Sequence, residues 1–73
     1  MNADTAEDIL RAGGNLVLSS RSLDVMVRLA KAAKETGTHL TFVGSASADK
    51  MLAVIHAGGK NITFDAAEYP VKE

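Results

Sequence analysis

The chain repeats itself three times within 73 residues, and that constrains its fold more than any other feature. Thr5-Ala6-Glu7-Asp8-Ile9-Leu10 recurs as Ser22-Leu23-Asp24-Val25-Met26-Val27 and again as Ser47-Ala48-Asp49-Lys50-Met51-Leu52. Each copy runs through glycine (Gly13-Gly14, Gly37, Gly58-Gly59) into a short alternating segment: Leu16-Val17-Leu18, Leu40-Thr41-Phe42, Ile62-Thr63-Phe64. Units of this length cannot each bury an apolar face alone, so they stack and share one core. The repeats span approximately residues 5–18, 22–43 and 47–64 of a single domain covering 1–73.

The middle copy predicts the longest helix. Ser22 is a good N-cap, Asp24 lies in the first turn, and Gly37 is the stop signal. At helical spacing Leu23, Met26, Val27, Ala30 and Ala33 share one side, and Val25, Leu29 and Ala32 widen the apolar arc past half the circumference. Asp24, Arg28, Lys31 and Glu35 form the polar strip, with Asp24–Arg28 and Lys31–Glu35 at ion-pair spacing. So wide an arc suits a helix lying on a sheet with a helix on each side. In the third copy Ala48, Met51, Leu52 and Ile55 replace Leu23, Met26, Val27 and Ala30, with Ser47 as cap. The first copy is shorter: Thr5 is its expected cap, and Ile9 and Leu10 are its core pair.

The order is therefore α-β-α-β-α-β, with strands 22 to 24 residues apart, which fits parallel strands joined by helical crossovers. Parallel strands buried on both faces read as continuous apolar runs. These alternate instead: Leu16, Leu18, Leu40, Phe42, Ile62 and Phe64 point one way, Val17, Thr41 and Thr63 the other. Helices should cover one face only. Right-handed crossovers achieve that when strands are added in one direction, giving order 1-2-3. The expectation is a two-layer α/β unit, comparable to half of a doubly wound sheet or three turns of a solenoid. Its expected core adds Ile9, Leu10, Leu23, Met26, Val27, Ala30, Met51, Leu52 and Ile55 to the six inward strand residues. Residues 65–73 break the period and are expected to cap the last repeat or to fray beyond an ordered start.

Composition excludes several functions. Eight basic and nine acidic residues give a net charge of −1, with no basic stripe, and the aromatics are Phe42, Phe64 and Tyr69. Nucleic-acid binding lacks both its electrostatic footprint and its stacking platform. Apolar runs fall well short of a membrane span, and the acidic start Met1-Asn2-Ala3-Asp4 is unlike a secretory signal, so a cytoplasmic protein is expected. A chain this short buries only about 60% of its unfolded surface. It has no cysteine to staple it, which leaves self-association as the common remedy.

No motif specifies catalysis, a cofactor or a metal: the nucleophile elbow, zinc-helix, phosphate-loop and dinucleotide patterns are all missing. The leucine-rich repeat pattern fails too, because Gly13, Gly37 and Gly59 stand where its upstream leucine belongs. His39 and His56 fall on opposite layers of the expected fold and read as solvent-facing histidines. Glu7, Asp24 and Asp49 recur near the helix starts, where dipole complementation accounts for them.

Two features remain. The uncovered sheet face presents Asn15, Val17, Ser19, His39, Thr41, Val43, Asn61 and Thr63, flanked by Asp65. Parallel sheets are rarely left bare, so a partner or second copy is expected there or at the open strand edges. This makes the chain a non-catalytic interaction module, most simply a homodimer. The alternative lies in the strand-to-helix turns, where Ser19, Ser20, Arg21, Ser22, Ser45 and Ser47 could hold a small phosphate or carboxylate. Capping alone also explains those serines.

Overall fold

The computed structural model describes residues 1–44 and 46–65. Along the chain run α1 (Ala3–Arg11), β1 (Leu16–Ser19), α2 (Leu23–Thr36), β2 (Leu40–Val43), α3 (Ala48–Gly58), a 3-10 turn (Gly59–Asn61) and β3 (Ile62–Phe64). The strands form one parallel sheet in the order β1-β2-β3. Leu16 pairs with Leu40 and Leu40 with Ile62, so the repeat register carries straight across the sheet. The cap or frayed end expected of the C-terminus lies, beyond Asp65, outside the described residues.

One face of the sheet carries all the described helices. Leu18, Leu40, Phe42 and Ile62 are buried in one cluster with Ala6 and Leu10 of α1, Met26, Leu29, Ala30, Ala32 and Ala33 of α2, and Val54 of α3. Their strand neighbours Val17 and Thr63 are exposed, as the alternation requires. Alanine at positions 30, 32 and 33 lets α2 lie close to its neighbours. Thr38, the buried polar residue among those described, is satisfied locally: its hydroxyl hydrogen-bonds Thr36 Oγ1 at 2.8 Å. Gly37 ends α2 in the left-handed region, φ 72°, where any side chain would be strained.

Several expectations need correction. Asn2, not Thr5, caps α1: its Oδ1 accepts the Thr5 N–H at 2.8 Å, which puts Thr5 inside the first turn. Leu23 and Leu52 are not core residues; they are 43% and 56% exposed. At fourteen residues α2 is about 21 Å long, whereas four-residue strands reach only about 13 Å, so the helix is longer than the sheet beneath it. Leu52 sits on the flank of α3 turned away from α2, where no other described element lies. Leu29, Ala32, Ala33 and Val54 take the fully buried places instead. On so wide an apolar arc the helical wheel alone does not locate its centre.

The polar strip also behaves differently. Arg28 ignores Asp24 and bridges to α1, reaching Asp4 Oδ1 and Glu7 Oε1 at 2.7 Å each. Glu35 pairs not with Lys31 but with Arg11, at 3.1 Å, and Arg11 also holds Glu7 at 2.9 Å. Glu7 is therefore the centre of an ion-pair cluster tying α1 to α2, rather than a dipole partner.

Hydrogen bonds from Arg11 and then Arg28 hold the Glu7 carboxyl below the ordinary carboxylate range. In the unfolded chain it titrates normally, at about pH 4.3. Its contribution is thus complete above that value and fades as the pH falls through the lower folded value. A melting series should show Glu7→Gln less stable than the parent at neutral pH, by a modest margin because the pairs are exposed. The gap should narrow below about pH 4.3, and also in high salt. A gap that is constant from neutral to strongly acidic pH would assign the loss to packing.

Candidate functional site: the bare sheet face

The face opposite the helices is built from the alternate residues of three short strands. Val17 is 68% exposed, and Asn15, Ser19 and Thr63 are also exposed. Thr41 and Val43 on the central strand, and His39 just before it, are half-buried, because the chain of a neighbouring repeat lies on each side of them. Down the middle the surface is polar with two valines, small enough to approach closely and too polar for a dry core.

Three side chains order the entrance to this face. Asn15 Oδ1 accepts the His39 backbone N–H at 2.8 Å, and Asn61 Nδ2 donates to the Thr38 carbonyl at 2.8 Å. The peptide group between Thr38 and His39 is thus clamped by an asparagine from each neighbouring strand's approach. His39 Nε2 in turn hydrogen-bonds Thr63 Oγ1, crossing diagonally from the central to the third unit. Asn61, expected among the open-face residues, belongs instead to the 3-10 turn and is half-buried over this peptide. The clamp was not anticipated, although Asn15 and Asn61 stand one residue before Leu16 and Ile62, the same place in two repeats.

The strand-to-helix turns lie side by side: Ser20 N–H donates to the Val43 carbonyl at 2.8 Å, and Ser20 packs against Gly44. Ser47 Oγ accepts the Lys50 N–H at 3.2 Å, an ordinary N-cap. Ser22 caps α2 by position but makes no such side-chain bond. Arg21 is half-buried and forms no ion pair among the described residues. Ser19 lies on the open face, and Ser45 lies outside the described residues.

The histidines occupy opposite layers. His39 faces the bare sheet surface, whereas His56 lines an open groove of about 550 Å³ between α2 and α3 with Lys31, Lys34, Glu35 and Ala57. They cannot share a ligand sphere within one chain. Among the described residues no three histidine, cysteine or acidic side chains are placed to hold a metal ion. No described helix is long and apolar enough to cross a membrane. The groove lies beside the C-terminal ends of two parallel helices, and Lys34 in the last turn of α2 offsets the negative end of that helix.

No protein-family model matches the chain, and no curated protein or solved structure matches it significantly.

Proposed function

We propose that this chain is a small non-catalytic assembly module whose working surface is the bare sheet face, covered by a second copy in a homodimer. One observation carries the reading: a parallel three-stranded sheet shields one face with helices and leaves Val17 68% exposed on the other. Such sheets are normally covered on both faces. The face suits a self-complementary contact, with Val17 and Val43 flanking the hydroxyls of Thr41 and Thr63. Among the described residues it brings together no cluster of titratable groups of the kind a catalytic site needs. A small core without disulfides also gains stability in proportion to partner concentration.

Light scattering at high micromolar concentration tests this. The expected mass is that of a dimer, and Thr41→Arg should give monomers with a lower Tm. A parent protein that stays monomeric at those concentrations would refute self-association and leave a foreign partner as the cover. The alternative, an anion at the serine turns, is supported by the lack of a side-chain cap hydrogen bond from Ser22 at the start of α2. On that reading millimolar phosphate raises the Tm of the parent but not of Arg21→Ala. The assembly reading expects no rise in either.

A further inference from the structure

The ion pairs that tie α1 to α2 leave a basic groove beside them. Helical spacing offers Lys31 the carboxylate of Glu35, but Arg11 holds that carboxylate at 3.1 Å. Lys31 instead lines the open groove of about 550 Å³ between α2 and α3, with Lys34 one turn further along α2 and His56 on α3. Glu35 is the acidic residue of the groove, and its charge is offset by Arg11. Among the described residues the side chains of Lys31, Lys34 and His56 form no ion pair or hydrogen bond.

Helix polarity accounts for only part of this charge. Each helix end carries about half a negative charge, felt within the last turn. Lys34 and His56 lie in the last turns of α2 and α3. Lys31 stands more than a turn before Thr36, the end of α2, so its charge stays available. The repeat explains why the cations meet: counted from Ser22 and Ser47, Lys31 and His56 hold the same place in adjacent units. The groove lies where α2 and α3 lead toward the starts of β2 and β3. The described chain leaves from the other end of the sheet, where the Asp65 N–H donates to the Phe42 carbonyl.

We propose that this groove binds a compact polyanion, a small molecule carrying two or more phosphate or carboxylate groups. Its volume falls within the roughly 300–1,000 Å³ of small-molecule sites. Lys31 and Lys34, on neighbouring turns about 5–6 Å apart, engage separate anionic groups, and a ring nitrogen of His56 donates to a third. A lone phosphate meets one exposed lysine at a time and gains little. The groove belongs to the helical layer, so it stays accessible when the bare sheet face is covered.

Thermal melts of the full chain test this. Millimolar inorganic tripolyphosphate, or citrate as the polycarboxylate, should raise the Tm of the parent, whereas orthophosphate should not. The double variant Lys31→Gln/Lys34→Gln should lose the shift and, by calorimetry, bind about tenfold or more weakly. Both lysines are exposed, so its circular dichroism should match the parent's. Lys50→Gln, which removes one positive charge at the start of α3, should keep the shift, as should Arg21→Ala. No shift of the parent with either polyanion overturns the proposal. So does a shift that survives in the double variant, or an equal rise with orthophosphate. A shift lost equally in Lys50→Gln would be general charge screening, and one lost in Arg21→Ala would place the anion at the serine turns; each overturns the groove.

Discussion

Phe42→Ala is expected to destabilise the protein by about 3–5 kcal/mol, enough to leave a large unfolded population at room temperature. Phe42 is the largest fully buried side chain and lies on the central strand, with its ring centroid 5.7 Å from that of Phe64. No neighbouring segment can collapse into the hole, because β2 is held by a strand on each side and by α2 above. At about 0.05–0.15 kcal/mol per residue, a domain of 73 residues has roughly 4–11 kcal/mol in all. Phe64→Ala, on the third strand and half-buried, should cost less. Urea titrations followed by circular dichroism compare the two, and a Phe42→Ala midpoint close to the parent's would mean the core lies elsewhere.

Gly58→Val should be the next most damaging substitution. In an exposed helix, replacing glycine relieves a backbone cost of about 1 kcal/mol. Here the new Cβ would overlap Ile62 Cγ1 and come within 3.0 Å of the Ala30 Cβ, which has no rotamer to turn away. Ile62 could swing only by leaving the core, where it is 6% exposed. Steric cost therefore wins, and a net loss at the upper end of about 1–3 kcal/mol is expected, with Gly58→Ala milder. The same measurement checks it: a Tm at or above the parent's for both variants would show that α3 shifts outward freely.

These two sites differ in how they could be found. Phe42 stands out in the sequence, because strict alternation around it places it inward and its central repeat puts it mid-sheet. Gly58 reads there merely as a helix stop. Its close contact with Ala30 exists only once α2 and α3 lie side by side. The same division runs through the candidate surface. Val17, Thr41 and Thr63 were legible as one open face, because side-chain direction along a strand has a period of two and needs no knowledge of neighbours. The clamp of Asn15 and Asn61 on the Thr38–His39 peptide was not, because it depends on how three strand starts are brought level.

From the sequence alone came the element order, the parallel sheet in order 1-2-3, the single helical layer and the inward strand residues. All of these follow from periodicities within a repeat and from the handedness of crossovers. Only the tertiary structure decided which part of α2's wide apolar arc is the core, sending Leu29 inward and Leu23 out. It also took Arg28 from Asp24 to Asp4 and Glu7. Local spacing offers every polar side chain a partner one helical turn away. Packing α1 against α2 brings two carboxylates of another helix within 2.7 Å of one guanidinium, and that arrangement outcompetes a single pair along one helix. Periodicity belongs to the chain, whereas the choice among partners belongs to the distances between elements.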